Sequence, residues 1–133
     1  GPPIRLAEGI CLNPFWSPDG RWLAYSAPLG GAFLRLRGVT PDGKPFPLPD
    51  IDVRYEFETY RFLPSGQALV LLLGEPRAQD FWLLDLGSGR RRQLTQLQPG
   101  PFITSFDVST DGKQIVFDRL REDSDVVMID LER

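Results

Sequence analysis

Short apolar runs follow a polar turn phrase three times along the chain, and the three copies are evenly spaced. The glycines that close the phrases, Gly20, Gly66 and Gly112, lie 46 residues apart. The apolar runs that follow them cover residues 22–25, 68–73 and 115–117. Because these runs are continuous rather than alternating, they are typical of strands buried on both faces. A repeat of this length made of short strands predicts an all-β fold, a β-propeller with one four-stranded blade per repeat.

Each repeat can be divided into antiparallel strands A to D. In the first repeat we predict strands at 12–16, 22–26, 32–39 and 46–48. In the second repeat we predict strands at 59–63, 68–73, 80–86 and 91–97. In the third repeat we predict only strands A to C, at 103–108, 114–118 and 125–131. The Gly-Ser-Gly step at 87–89 and the Asp-Gly pairs supply the tight turns between strands.

The predicted blades do not close a ring. We interpret residues 1–133 as one partial propeller made of an orphan strand D at 3–6, blade 1 at 12–48, blade 2 at 53–97 and blade 3 at 102–131 without strand D. Propellers have about four to eight blades. The chain is therefore expected to be a fragment of a longer protein, or a half that pairs with a second copy. In a homodimer, the strand at 3–6 would complete blade 3 of the partner in a six-bladed ring.

Composition excludes several classes of function. The net charge of −3 argues against nucleic-acid binding, which needs a basic surface. Because the chain has no histidine, it lacks Ser-His and Cys-His catalytic pairs and the usual zinc ligands. Its one cysteine, Cys11, precludes an internal disulfide and is expected to be at least half-buried. We expect neither a cofactor nor a metal, no enzyme activity, and no insertion into a membrane.

The repeat resembles the TolB-like propeller repeat, a relative of WD repeats. Residues 15–21 (Phe-Trp-Ser-Pro-Asp-Gly-Arg) match the start of that pattern. Residues 84–89 (Leu-Asp-Leu-Gly-Ser-Gly) and 92–95 (Arg-Gln-Leu-Thr) match its end. The pattern of an apolar residue followed by Asp-Leu, which we call the Asp step, recurs at 129–131 (Ile-Asp-Leu). The second repeat departs from the pattern with Leu-Pro-Ser-Gly at 63–66. The first repeat has Arg37 where the Asp step is expected.

The resemblance implies a scaffold from a bacterial multidomain protein, in which a propeller of this type follows a kinase or winged-helix domain and serves as a sensor or interaction module. Such propellers also precede the hydrolase domain of prolyl-oligopeptidase-like peptidases, and one forms the protein-binding platform of TolB. We therefore expect a non-catalytic scaffold that recognises a protein, peptide or small ligand. The alternatives are a substrate-gating domain of a peptidase and a pure self-assembly scaffold. The resemblance favours a periplasmic location.

Two groups of residues are singled out as candidates. Asp19, Gly20, Gly66, Asp111 and Gly112 are interpreted as structural turn residues rather than metal ligands. Partner binding is expected on the inner strand or on irregular loops at 28–31, 48–54, 74–79, 98–101 and 120–123. The binding candidates are Tyr55, Glu56, Glu58, Tyr60, Arg61, Glu75, Arg77, Arg119 and Arg121. The alternative for Phe57 and Tyr60 is that they only pack between blades.

Overall fold

The computed structural model describes residues 1–119 and 125–131. These residues form β-strands joined by turns, and none of them is helical, which confirms the predicted all-β fold. Three separate antiparallel sheets follow one another along the chain. The chain divides into two compact units, Gly1–Tyr55 and Glu56–Arg133, which are described in turn.

The first unit holds the first sheet. Its strands are β1 (Leu12–Trp16), β2 (Leu23–Gly30), β3 (Phe33–Val39), β4 (Pro45–Phe46) and β5 (Asp52–Arg54). Strands β1, β2 and β3 form a meander, and the outer edge of β3 pairs with β4 at one end and with β5 at the other. Strands β4 and β5 are thus two halves of one interrupted fourth strand. Cys11 lies just before β1 and is exposed, contrary to the prediction.

The interrupted fourth strand differs from the one predicted at 46–48. Residues 52–54 were predicted as loop and as the start of blade 2, but they belong to the first sheet. Three alternate residues, Pro45, Pro47 and Pro49, explain the break. Proline has no N–H to donate and its φ is fixed, so a segment rich in proline does not continue a regular ladder.

The first sheet packs two aromatic rings over a glycine. Trp22 and Phe46 stack with ring centroids 4.4 Å apart. A Cβ on Gly38 would lie 2.8 Å from the backbone oxygen of Phe46 and 3.2 Å from the Trp22 ring. Because a methyl group does not fit there, glycine is needed for β3 and β4 to approach each other.

The second unit holds the other two sheets. The second sheet contains β6 (Thr59–Phe62), β7 (Ala68–Glu75), β8 (Ala78–Asp85) and β9 (Arg91–Gln93) in sequence order. The third sheet contains β10 (Phe106–Val108), β11 (Gln114–Arg119) and β12 (Asp125–Asp130), also in sequence order. Both are antiparallel meanders, which is the connection expected within a propeller blade.

One hydrophobic core joins the second and third sheets. Phe81 contributes the central ring, which lies 5.0 Å from the ring of Phe106 and 5.2 Å from that of Phe117. The remaining fully packed members are Val70, Leu72, Ile103 and Ile115. Strand β7 is buried from Ala68 to Leu72 on both faces, as its continuous apolar run predicted. These two blades therefore pack through aromatic and branched side chains.

Two predicted irregular loops are tight hairpins instead. Strands β2 and β3 extend to Gly30 and Phe33, which leaves two residues for the turn predicted as a loop at 28–31. Strands β7 and β8 extend to Glu75 and Ala78, so Pro76-Arg77 forms the turn. The extension needs Gly74, which has φ of +123° and on which a Cβ would lie 2.4 Å from the oxygen of Ala78. Residues 3–6 have no strand pairing among the described residues, so their pairing with another blade stays a prediction.

Candidate functional site

The Asp-Gly turns that follow the first strands of the first and third sheets have the same pattern of hydrogen bonds. In the first sheet the Ser17 hydroxyl donates to Asp19 Oδ1 at 2.7 Å, and the N–H of Arg21 donates to the same oxygen at 3.0 Å. The N–H of Gly20 donates to the oxygen of Ser17, and Gly20 has φ of +71°. The backbone N–H of Arg21 and the Ser17 hydroxyl lower the pKa of Asp19. The carboxylate thus organises the turn.

The third sheet repeats this network residue by residue. The Ser109 hydroxyl donates to Asp111 Oδ1 at 2.6 Å, and the N–H of Lys113 donates to that oxygen at 3.0 Å. Gly112 has φ of +72°, the same value as Gly66 in the second sheet. Hydrogen bonds from Ser109 and Lys113 lower the pKa of Asp111. The turn carboxylates therefore have local donors that account for their place in the sequence motif.

The first sheet uses the same chemistry in its second turn. The Thr40 hydroxyl donates to Asp42, and the N–H of Lys44 donates to the Thr40 hydroxyl at 3.1 Å. Thr40 therefore opens the turn after β3, and Asp85 opens the equivalent turn after β8 by accepting the N–H of Ser88 at 2.7 Å. The missing Asp step of the first repeat is thus replaced by Thr40-Pro-Asp-Gly, and Arg37 is left without a turn role.

Two further carboxylates fasten strand ends. Asp80 Oδ1 accepts the Thr95 hydroxyl and the N–H of Leu97, both at 2.8 Å. Asp118 accepts hydrogen bonds from the backbone N–H and the hydroxyl of both Thr104 and Ser105. Partial burial raises the pKa of Asp118, but these donors outweigh it and lower the pKa overall. Among residues 1–119 and 125–131, no three Asp, Glu or Cys side chains form a metal-binding cluster.

The binding candidates near the start of the second unit occupy unequal positions. Glu56 is exposed and has a strained φ of +83°, and Tyr55, in the first unit, is half-exposed. Glu58 Oε1 accepts the N–H of Gly74 at 2.8 Å, so it supports the strand. Tyr60 is completely buried, and this burial raises the pKa of its hydroxyl. Its ring is inaccessible to a partner, which agrees with the packing alternative.

The candidates on the hairpins are spread over the surface. Glu75 and Arg77 are exposed at the β7–β8 hairpin. The backbone oxygen of Arg77 accepts the N–H of Gly100 at 3.0 Å, and Arg119 Nη2 donates to the oxygen of Gln98 at 3.3 Å. These contacts fasten the segment before the third sheet. Arg121 and the loop predicted at 120–123 lie outside the described residues.

Arg61, one of the predicted candidates, lines a cavity. Its guanidinium lies 5.4 Å from the centre of the Phe106 ring, and Nη1 donates to the oxygen of Tyr60 at 2.7 Å. Burial lowers the pKa of Arg61, and the nearby Asp107 carboxylate opposes this shift. The adjoining cavity measures about 410 Å³ and is lined by Arg61, Ser105, Phe106, Asp107, Val116, Phe117, Asp118 and Val126.

Part of this cavity is formed by the exposed face of the third sheet, a face that we define by Asp107, Val116, Val126 and Met128; Met128 lies beyond the cavity lining. Strand register places Asp107, Val116 and Met128 in one row across the sheet. Val126 is 79% exposed and Met128 is 60% exposed. The opposite face is buried in the core. Sequence reasoning missed these three apolar residues because it treated the strands as buried on both faces, although Asp107, Asp118 and Asp130 alternate with the core residues.

The chain matches no protein-family profile and no curated protein sequence. Its fold is similar to that of three solved structures that contain β-propellers. TolB from Acinetobacter baumannii superposes with a TM-score of 0.69 over 95% of this chain at 20% identity. A prolyl endopeptidase superposes with a TM-score of 0.67 over 91% of this chain at 16% identity. Oligogalacturonate lyase in complex with manganese superposes with a TM-score of 0.66 over 92% of this chain at 15% identity.

The similarity covers part of each neighbour. The chain spans 32% of the TolB chain, 20% of the prolyl endopeptidase chain and 35% of the lyase chain. At these identities the likeness establishes the fold alone, which is a set of β-propeller blades, and the predicted fold is confirmed. The residues described hold no helix long and apolar enough to cross a membrane.

Proposed function

We propose that this chain is a non-catalytic, protein-binding propeller module that holds an extended peptide segment on the exposed face of the third sheet. The observation that carries the proposal is the cavity beside Arg61, where a half-buried guanidinium, two carboxylates and exposed apolar side chains line one surface. Aromatic and arginine side chains at the edge of an apolar patch are typical of protein interfaces.

The chemistry of this face favours a partner with both apolar and basic side chains. Val116, Val126 and Met128 form an apolar patch. Among the described residues, Asp107, Asp118 and Asp130 lie on the same side of the sheet, so carboxylates outnumber the guanidinium of Arg61 there. A segment that presents a branched apolar side chain next to lysine or arginine complements this surface in shape and in charge.

A binding role is better supported than catalysis. The chain has no histidine, and the lowered pKa values of Asp19, Asp42, Asp85 and Asp111 suit turn carboxylates that remain ionised. A general acid or base needs a pKa shifted towards neutrality.

Three further features belong to the same proposal. We infer a bacterial protein of greater length, a sensor or interaction role for this part, and a periplasmic location. The similarity to part of TolB supports them. The similarity to part of a prolyl endopeptidase supports the alternative of a substrate-gating domain, which requires a hydrolase domain with a Gly-x-Ser-x-Gly motif in the same protein.

Selection of peptides from a random display library against residues 1–133 tests the proposal. Enriched peptides are expected to combine Leu, Ile or Val with Lys or Arg. Binding of a labelled enriched peptide is then measured by fluorescence anisotropy. Val126→Asp should weaken it about tenfold or more, because the variant places a charge within the apolar patch. Arg61→Gln should weaken it less.

The matched control is Leu29→Asp, which places the same charge on an exposed apolar side chain of the first unit. It should leave the affinity unchanged. Equal binding by the wild-type chain and Val126→Asp would overturn the proposal. Sedimentation of the free chain tests the self-assembly alternative. A dimer that Val126→Asp dissociates would assign this face to a second copy.

A further inference from the structure

The interruption of the fourth strand in the first sheet leaves a cleft. β4 pairs with Gly38 and Val39, and β5 pairs with Phe33 to Arg35. Between them one backbone bond, from the N–H of Leu36 to the oxygen of Ile51 at 2.9 Å, continues the ladder. Residues 47–50 therefore bow away from β3. The cleft beside them measures about 360 Å³, and all its lining residues belong to the first unit.

Two arginines from β3 line this cleft, and their electrostatic situations differ. Arg35 Nε donates to Asp52 Oδ1 at 2.8 Å and Nη2 donates to Oδ2 at 3.3 Å, while Asp50 lies 3.7 Å from Nη1. Its charge is neutralised by these carboxylates. Arg37, two residues along the strand, has no ion pair or hydrogen bond from its guanidinium to any residue within 1–119 and 125–131.

A tyrosine hydroxyl lies on the same side as Arg37. Tyr25 is the direct cross-strand partner of Arg37, and both line the cleft. Directly opposite residues of an antiparallel pair have Cβ atoms about 5 Å apart, so their polar ends can meet at one ligand atom. The Tyr25 hydroxyl also makes no hydrogen bond within the described part of the chain. Two adjacent donors are thus available.

The rest of the lining is mixed. Leu6, Pro47 and Leu48 contribute apolar surface, and Asp50, which lies beside Arg35, contributes a carboxylate. A cleft of a few hundred Å³ that combines apolar surface with a few convergent polar groups is the usual form of a small-ligand site. A guanidinium binds carboxylate and phosphate oxygens through paired N–H donors, and a phenol adds a third hydrogen bond.

We infer that this cleft is a binding site for an oxyanion attached to an apolar group, with Arg37 and Tyr25 as its donors. The site is separate from the proposed protein-binding face of the third sheet. The ligand class includes a carboxylate, such as the free end of a peptide that finishes in an apolar residue, and a phosphate monoester of similar size. The shared recognition is the anionic group on Arg37 with the apolar part against Pro47 and Leu48.

Titration of the isotope-labelled chain, followed by amide chemical shifts, tests this site. The probes are N-acetyl-leucine, its uncharged amide and phenyl phosphate. Either anion should cause saturable shifts at Leu36, Arg37 and Gly38, and the uncharged amide should bind about tenfold more weakly or not at all. Tighter binding of phenyl phosphate would identify the site as one for phosphate, and tighter binding of N-acetyl-leucine as one for carboxylate.

Variants separate this site from non-specific attraction. Arg37→Gln should weaken the better anion about tenfold, and Tyr25→Phe about threefold, since one charged and one neutral donor are lost. Arg37→Lys should retain part of the affinity. Arg90→Gln removes the same charge from an exposed hairpin and should have no effect. Val126→Asp should also have no effect.

The proposal is wrong if neither anion produces saturable shifts in β3, or if Arg37→Gln, still folded by its amide spectrum, binds as well as the wild-type chain. Because Val126→Asp changes the exposed face of the third sheet and not the cleft of the first sheet, peptide binding could fail while anion binding persists, or the reverse. The two results are therefore distinguishable.

Discussion

The fourth strand of the first sheet and that of the second sheet perform the same task by different means. In the second sheet, β9 pairs with β8 and the chain beyond it is held by side chains, since Thr95 bonds to both Asp80 and the N–H of Phe81. In the first sheet alternate prolines break the strand into β4 and β5, and the pair of Arg35 with Asp52 holds β5 to β3. The clamped strand closes the edge of its blade, whereas the broken strand leaves a cleft. The difference shows how one repeat can form a continuous fourth strand in one copy and a cleft in another.

The largest expected effect is the loss of the clamp. Asp80→Ala should destabilise the chain by about 3 kcal/mol, because two hydrogen bonds to a carboxylate are lost and the N–H of Leu97 is left without its acceptor. Urea unfolding followed by tryptophan fluorescence measures this. Asp80→Asn keeps an acceptor oxygen and should cost less than half as much. Equal losses for both variants would show that the charge, and not the hydrogen bonds, holds the strand.

An intermediate effect is expected where the broken strand meets β3. Gly38→Ala should destabilise the chain by about 2 kcal/mol, since the added methyl group would press on the backbone of Phe46 and on the Trp22 ring. Gly87→Ala is the matched control, because its added Cβ would meet only ordinary contact with Asp85 at 3.4 Å. Thermal unfolding of the two variants gives the comparison. If Gly38→Ala were as stable as Gly87→Ala, β4 would not be held closely against β3.

The smallest expected effect is on the pH dependence of stability. It comes from the turns after β3 and β8, which resemble each other and precede the fourth strands of the first and second sheets. The Thr40 hydroxyl lowers the pKa of Asp42, and the N–H of Ser88 lowers the pKa of Asp85. A lowered folded-state pKa means that the unfolded chain binds more protons in acid. The stability from these carboxylates is therefore present above about pH 4 and is lost as pH falls through the folded-state values.

Melting temperatures from pH 7 down to pH 2 test this prediction. Asp42→Asn and Asp85→Asn should each be less stable than the wild-type chain at neutral pH, and each difference should shrink in acid. The two variants should behave similarly because the turns are equivalent. A difference that is constant with pH would show that ionisation of these groups does not contribute.

The sequence predicted the blades better than the surfaces. The repeat of Gly20, Gly66 and Gly112 reflects a local requirement for a left-handed residue, and local requirements are visible in a sequence. Continuous apolar runs identified β7 correctly for the same reason. The interrupted strand was missed because Asp52–Arg54 pairs with β3 across a proline-rich segment, and the alternation of buried Ile51 and Val53 with polar residues covers only four positions.

The candidate site depended on tertiary packing and was therefore less predictable. Arg61 was chosen because it lies in the segment of aromatic and charged residues that leads into the inner strand, and it does line a cavity. Tyr60, chosen by the same criterion, is completely buried, because alternate residues of β6 face opposite sides. The exposure of Val126 and Met128 depends on which face of the third sheet meets the core, which periodicity alone does not decide.

The double burial of β7 also has a consequence for misfolding. Residues 68–73 form an uncharged, branched apolar hexapeptide, and such segments form intermolecular β-structure when they are released from the native fold. In the folded chain β6 and β8 cover both of its edges. Partial opening of the second sheet would expose it at once, so aggregation of destabilised variants is expected to start from this segment. Glu75 and Pro76, directly after it, act as a natural barrier to its extension into longer fibrillar strands.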